Sequence, residues 1–424
     1  MKEPIIIEGK HSEAVIYATL LEDSAREQIE ALVNAPFVEG ETIRIMPDAH
    51  AGAGCVIGYT QTINGRRVCP NLVGVDISCG MLTVKLGKMD INLPRFDELV
   101  NATIPAGHEV HEGRIVRFPE LQKLKCYRSL KDTKRIERSI GTLGGGNHFI
   151  ELDRAADGTV YLVIHTGSRN LGKQIAEYYQ DRADNVVNHD MGTYYRKRDE
   201  IISSYKAEGR RSEIQKALED LKAEYQEKNL NVVSKDLAWL EGQDFEDYLH
   251  DSAIAAEYAH LNRMTIANLI IKGYFGKGYS IDDFEHFETV HNYIDLEDMM
   301  IRKGAISAHE GEKVLIPISM KDGALICLGK GNPDYNMSAP HGAGRRLSRN
   351  AAFEKLSMDE FKHQMEGIYS TSVDESTLDE SPMAYKGLED ILPMLEGTCT
   401  VIEHIKPIYS FKAHKKEATN VSKD

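Results

Sequence analysis

Residues 1–90 alternate short apolar runs with polar or glycine-bearing breaks, which is the pattern of strands and turns. Ile43 and Ile45 alternate with polar neighbours within segment 43–46. Segments 55–63 and 67–75 flank Asn64-Gly65, a pair that tolerates the left-handed backbone of a two-residue turn, so a hairpin is predicted there. Residues 81–86 alternate as a further strand. Residues 160–165, Val-Tyr-Leu-Val-Ile-His, read as a buried strand that breaks at Thr-Gly-Ser-Arg and enters a helix near Asn170 as its N-cap. From about Asp181 to Glu241 charged residues dominate, while Ile214, Ala217, Leu218, Leu221 and Tyr225 recur at helical spacing. This predicts a helical insertion, an antiparallel pair broken at Gly209. A second long helix is predicted over 245–271, and strands over 314–320 and 324–328 around Asp322-Gly323. The last eleven residues, 414–424, read as a disordered tail. The expected architecture is one large α+β domain over 1–413 with the insertion at about 181–241.

Composition narrows the picture. At 42% apolar the chain builds a sizeable core, yet no run of 18 apolar residues exists to cross a membrane. The N-terminal run is too short and too charged for a secretory signal. Six scattered cysteines lack the spacing of a disulfide framework, so a reducing, cytoplasmic setting is expected. A net charge of −15 argues against coating nucleic acid by bulk charge. A nucleic-acid channel would have to come from a local cluster such as Lys303, Arg345, Arg346 and Arg349.

The candidate chemistry lies in five glycine-rich segments, 46–58, 74–81, 141–152, 165–172 and 338–349. A glycine loop alone is usually a turn. Here each loop also carries His, Cys, Asp or Glu, and glycine lets backbone N–H groups approach phosphate oxygens. Asp76 and Cys79 stand three apart after a strand. His148 follows Gly-Gly-Gly-Asn, His165 ends a strand, and His291 precedes Asn292-Tyr293. Each alone reads more simply as a structural residue. Together they point to a metal site, and thiolate with imidazole leans to zinc. His341 stands in Pro-His-Gly-Ala-Gly-Arg-Arg. Presented to a phosphate, its imidazole is a nucleophile. A further metal ligand or turn histidine is an equal reading on this motif.

The order of these segments resembles the RtcB-type RNA ligases. GVDISCGM, GGGNHFIEL, HTGSRNLG, HNY, RKGA and SAPHGAGR occur in that family's order, and the likeness runs from MPDAHAGAG to SFKA near residue 413. The resemblance implies an α+β fold and GTP- and manganese-dependent joining of an RNA 3′-phosphate or 2′,3′-cyclic phosphate to a 5′-hydroxyl, in RNA repair or tRNA splicing. It implies Asp76, Cys79, His148, His165 and His291 as ligands of two Mn²⁺ ions, with Cys79 bridging. His341 would take GMP. Asn147, Glu151, Asn292, Ser319, Gly342, Ala343, Gly344, Arg345, Tyr385 and Lys412 would bind the nucleotide, and Asp48 would position or deprotonate the 5′-hydroxyl. Manganese then replaces the zinc suggested by ligand chemistry.

One loop departs from the family pattern. Ile318 and Lys321 stand where the family has glycines, and Ala324 about where it has serine. These departures mark a divergent branch with altered contact to the base. Three rivals remain: a metal phosphoesterase, which would not need His341; an RNA-binding module, disfavoured by charge and by 7% aromatics; and a maturation factor, which the ligand set does not support.

Overall fold

The computed structural model describes residues 3–18, 21–226 and 232–413. The predicted tail, 414–424, lies outside the described residues. Helices and sheets are mixed, in agreement with the α+β expectation.

One sheet has six strands, in the order Ile5–Glu8, Glu13–Ile16, Ile43–His50, Ile57–Thr62, Met300–Lys303 and Tyr293–Asp295. The predicted hairpin across Asn64-Gly65 does not form. The Glu41 carboxylate accepts from the Asn64 and Gly65 N–H groups at 2.9 and 2.6 Å, which makes the turn. The chain then leaves the sheet into a 3₁₀ turn at Pro70–Leu72, where proline has no N–H for a ladder. The partners of Ile57–Thr62 are Ile43–His50 and the distant Met300–Lys303.

The second sheet has seven strands, all pairs antiparallel: Lys313–Ser319, Gly323–Gly329, Cys399–Phe411, Phe149–Arg154, Thr159–Thr166, Gly80–Lys88 and Glu285–Val290. The strands predicted at 81–86, 160–165, 314–320 and 324–328 all lie here. Side chains alternate cleanly. Leu82, Val84, Ile150, Leu152, Leu162 and Ile164 face the helices Leu93–Thr103 and Gly242–Phe275, packing on Phe96, Val100, Ile266 and Ile270. Met81, Phe149, Tyr161, Val163, Leu315, Ala324, Ile326 and Ile405 pack together on the other face. The two edge strands meet there: Leu315 N–H donates to Thr289 Oγ1 at 2.8 Å, and Lys313 pairs with Glu285 at 2.7 Å. The sheet therefore curls into a barrel-like wall around this second face.

The helix after His165 starts one residue before Asn170. It runs Arg169–His189 with Ser168 at the N-cap position, and Asn170 spends its Oδ1 on Gln174. This helix carries through Asp181, so the helical excursion begins later than expected. Its helices are Met191–Ala207 and Ile214–Gln226, with Gly209 at φ +77° between them. Leu237, Ala238 and Leu240, assigned to the insertion from sequence, are buried in the main core instead.

Candidate metal and nucleotide site

Four loop-and-strand junctions converge at one end of the curled sheet. Cys79 precedes the strand Gly80–Lys88, His148 precedes Phe149–Arg154, His165 lies near the end of Thr159–Thr166, and His291 follows Glu285–Val290. Register puts Phe149 opposite His165, and Met81 opposite both His165 and Thr289, so the four donors share a rim.

Arg263, on the long helix Gly242–Phe275, ties the loops beneath. It is 1% exposed, and its Nη1 donates to the carbonyls of Ser78 at 2.9 Å and Thr166 at 3.0 Å. Its charge is met by Glu288 at 2.7 Å. Burial alone would raise the Glu288 carboxyl, but Arg263 and His260 outweigh it and hold it at about 2. A depressed carboxyl contributes stability above its unfolded value of 4.5, and that stability is lost as pH falls toward 2. Acid unfolding should thus show a component in this window that Glu288→Gln removes. Because Glu288→Gln leaves a buried cation uncompensated, it should also cost about 3–5 kcal/mol at neutral pH by denaturant unfolding.

The donors form two overlapping groups, Cys79 with His165 and His291, and Cys79 with Asp76 and His148; within each group the ligand atoms lie within 4.8 Å of one another. Cys79 Sγ is 3.4 Å from His148 Nε2 and 3.3 Å from His165 Nε2. His165 Nε2 is 3.3 Å from His291 Nε2, and His148 Nε2 is 3.1 Å from Asp76 Oδ2. The outer nitrogens fix the tautomers. His148 Nδ1 faces the Leu143 carbonyl at 2.9 Å, and His165 Nδ1 faces the Asn147 carbonyl at 3.1 Å. A carbonyl only accepts, so Nδ1 bears the proton and Nε2 turns its lone pair inward.

Electrostatics agrees. Burial, with neighbouring imidazoles, holds His165 and His291 well below the usual histidine range, in the neutral form that binds metal. Burial and the Asp76 charge push the Cys79 thiol up, so a thiolate there requires a cation beside it. The donor set fits divalent metal, with one sulfur common to both groups. Glycine is required nearby: Gly144 has φ +85°, and a Cβ there would overlap Arg169 and come within 2.9 Å of His148 Nδ1.

His341 stands beside this cluster, its ring centroid 4.9 Å from that of His291. Its Nδ1 is 2.8 Å from Oδ2 of Asp48, which is fully buried. The carboxylate accepts from Nδ1–H, which leaves Nε2 as the nitrogen with an available lone pair. A cavity of about 310 Å³ opens here. It is lined by His341, by all five candidate ligands, and by Asn147, Glu151, Asn292, Ser319, Gly342, Ala343, Gly344, Arg345, Tyr385 and Lys412.

The family profile described as tRNA-splicing ligase RtcB matches residues 28–127 and 120–413. The chain belongs to the RtcB family. It is 29% identical to the RNA-splicing ligase RtcB of Escherichia coli K12, over 92% of this chain and 95% of that protein. It is 26% identical to the tRNA-splicing ligase RtcB of Archaeoglobus fulgidus, over 92% and 91% of the two chains. The RNA-splicing ligase RtcB of Mycobacterium bovis is 26% identical over 82% of this chain and 90% of its own length.

Within this RtcB-family cavity the structure redistributes several sequence expectations. Lys303 does not belong to a basic channel. It is 3% exposed, and its Nζ donates to the carbonyls of Ala53, Cys55 and Asn71 at 2.8, 3.0 and 2.9 Å, which closes the 53–71 loop. Arg346 is exposed and pairs with Asp390. Arg345 lines the cavity, but its guanidinium is engaged by Tyr385 Oη at 2.9 Å and Glu380 at 3.2 Å. Glu380 is 3% exposed and also meets Lys412 at 3.3 Å and Arg349 at 3.4 Å. Arg349, expected in a basic channel, does line the cavity but is paired with Asp379 and Glu380, whereas sequence reasoning missed Glu380, His50 and Phe149 as lining residues. An acid in a polar 3₁₀ segment offers no local signal; it becomes legible only from the three cations around it.

The divergent loop is built to a different plan. Ile318 is 3% exposed and packs with Ala343 and Ile316 while lining the cavity. Ser319 Oγ accepts from Asp322 N–H at 3.0 Å and donates to Asp322 Oδ2 at 3.1 Å. Lys321 points outward, donating to Gln364 at 2.6 Å. An apolar wall thus stands where glycine would leave backbone.

No helix among the described residues is long and apolar enough to cross a membrane.

Proposed function

We propose that this protein is an RNA ligase that joins a 3′-phosphate or 2′,3′-cyclic phosphate end to a 5′-hydroxyl end through a guanylyl group carried on His341, with GTP and Mn²⁺. The observation that carries the proposal is the Asp48–His341 pair, 2.8 Å apart, beside a five-donor cluster. Motif chemistry left His341 divided between nucleophile and ligand. Its Nδ1 is committed to Asp48, and the other donors fill two ligand groups without it.

Asp76, Cys79 and His148 would hold one ion, and Cys79, His165 and His291 the other. Such ions, when bound, neutralise phosphate charge and align the reacting oxygens. His341 Nε2 attacks the α-phosphorus of GTP; an N–P bond forms, the bond to the bridging oxygen breaks, and pyrophosphate leaves. The imidazole becomes cationic as it gives its lone pair, and the buried Asp48 carboxylate stabilises that charge through Nδ1–H. A cyclic end is first hydrolysed to a 3′-phosphate. GMP then passes from Nε2 to that phosphate as the N–P bond breaks, the 5′-hydroxyl attacks the resulting anhydride and gives up its proton to solvent, and GMP leaves as the new phosphodiester forms. Asp48 therefore serves the histidine, where the family resemblance had assigned it to the hydroxyl. Asn147, Glu151, Asn292, Ser319, Gly342, Ala343, Gly344, Tyr385 and Lys412 would surround the guanylate, with Arg345 holding Tyr385.

Asp48→Asn keeps the volume and removes the charge. It should slow self-labelling by about 10²-fold or more, as expected for loss of a group that sets a tautomer and stabilises an imidazolium. Wild-type rates in that variant would remove Asp48 from the mechanism. The decisive assay is joining of a 2′,3′-cyclic-phosphate RNA to a 5′-hydroxyl RNA, with GTP compared against ATP. Joined product with GTP is expected. Hydrolysis of the cyclic end without joining, whichever nucleotide is present, would favour a phosphoesterase.

A further inference from the structure

The curled seven-stranded sheet has charge inside it that the reaction above does not use. Its inward face is layered by register. Phe149 lies opposite His165, Glu151 opposite Val163, and Asp153 opposite Tyr161. Glu151 and Asp153 are two apart on one strand, so they share that face. The first reaches the nucleotide cavity; the second lies deeper, 0% exposed.

Their surroundings differ. Glu151 Oε1 accepts from Ser410 Oγ at 2.9 Å, and the Lys412 charge acts on it. Asp153 has no hydrogen-bond partner on either carboxylate oxygen among the described residues. Thr83 Oγ1, on the same face, is likewise unpartnered. The other ionisable groups facing the interior are Tyr161 and His165 on one strand, Lys85, Glu285, Lys313 and Glu403 around the far mouth, and, on the cavity side of Glu151, Lys412 with its ion-pair partner Glu380. Lys85 and Lys313 are both spent on Glu285, at 3.3 and 2.7 Å. Among the described residues no cation pairs with Asp153.

An ionised carboxylate cannot stay in such a place without a counter-charge or donors; it takes a proton instead. Two carboxylates in one interior share a single proton, and it settles on the one with fewer partners. Burial, with the Glu151 charge added, drives Asp153 well above the usual carboxylate range, whereas Lys412 and Ser410 limit the rise of Glu151 to about 7.

We propose that Asp153 holds the proton of a buried acid pair and is a positioning residue for base selection, because while the proton stays on Asp153 its neighbour Glu151 meets the nucleotide as an anion. The inference rests on the reading of the cavity as a guanine nucleotide site. The base edge of guanine offers N–H donors where adenine offers a ring-nitrogen lone pair, so an anionic acceptor at Glu151 favours guanine. A protonated Glu151 offers a donor as well and loses that preference.

Four measurements on the full chain test this. First, a protonated carboxyl should appear in the infrared spectrum at pH 8, remain in Glu151→Gln, and vanish in Asp153→Asn. Its absence from wild type, or its survival in Asp153→Asn, overturns the proposal. Second, an acid raised above its unfolded value of 3.8 destabilises the fold as pH rises past that value. Asp153→Asn should therefore melt higher than wild type, by a margin that widens with pH; a lower melting temperature at pH 8 counts against a proton on Asp153. Third, the preference for GTP over ATP in self-labelling should shrink as pH falls through about 7, at the same pH in wild type and Asp153→Asn. A shift of that transition to lower pH in Asp153→Asn would mean that Asp153 was the anion. In Glu151→Gln the KM for GTP should rise about tenfold or more, the loss of one charged hydrogen bond. If that KM is unchanged, the guanine reading fails while the infrared and melting results still decide where the proton is.

Discussion

Protein incubated with GTP labelled at the α-phosphate and Mn²⁺ should acquire an acid-labile covalent label, and His341→Ala should acquire none. Loss of a covalent nucleophile typically costs about 10⁶-fold in turnover, so joining of RNA ends should fall to background too. Acid lability is expected because protonation of a phosphoramidate nitrogen makes imidazole a good leaving group. Stability should fall by about 1–3 kcal/mol, because His341→Ala strips the fully buried Asp48 of its one side-chain partner among the described residues. The double variant Asp48→Asn/His341→Ala, which leaves no buried carboxylate stranded, should melt closer to wild type and still take no label, which separates a chemical defect from a folding one. Label that survives in His341→Ala would transfer the guanylyl group to another residue and undo the proposed mechanism.

Cys79→Ala should lose both self-labelling and joining, by about 10³-fold or more. Its sulfur is common to both donor groups, 3.4 and 3.3 Å from two imidazole nitrogens. Removing it weakens both candidate ion sites at once. Metal polarisation is worth several kcal/mol at a phosphoryl centre, and each 1.4 kcal/mol is tenfold. The same variant should bind fewer Mn²⁺ ions by equilibrium dialysis, which reads the site independently of catalysis. Cys79→Ser tests the sulfur itself, since a hydroxyl is a far poorer anionic ligand than a thiol. Unchanged Mn²⁺ binding in Cys79→Ala would remove the cysteine from the metal site.

Several corrections share one cause. Asn64-Gly65 is a strong hairpin signal and does make a turn, yet the following segment leaves the sheet, because the edge it would have filled is taken by a strand more than 200 residues later. In the sequence Lys303 groups with Arg345, Arg346 and Arg349 as a candidate nucleic-acid channel; three backbone carbonyls claim its ammonium group instead. The stretch 237–240, polar on both sides, looked like the end of an insertion and packs in the core. In each case local pattern was right about chemistry or conformation, and a distant partner decided the use.

By itself the sequence determined four of the seven strands of the larger sheet, at 81–86, 160–165, 314–320 and 324–328, where apolar or alternating runs are long enough to read; Phe149–Arg154, Glu285–Val290 and Cys399–Phe411 were not legible from local pattern. It also singled out the five candidate donors, Asp76, Cys79, His148, His165 and His291, which the structure gathers into two overlapping groups. The order of those motifs was enough to place the chain among RtcB-type ligases. Only the tertiary structure decided which nitrogen of His341 has the lone pair, since Asp48 stands 293 residues away and no local rule pairs them. Only it brought Arg345, Arg349 and Lys412 around Glu380, and only it sealed Asp153 inside the curled sheet without a hydrogen-bond partner among the described residues. A side chain's charge and tautomer are set by what surrounds it in space, and those neighbours come from segments that the chain order keeps far apart.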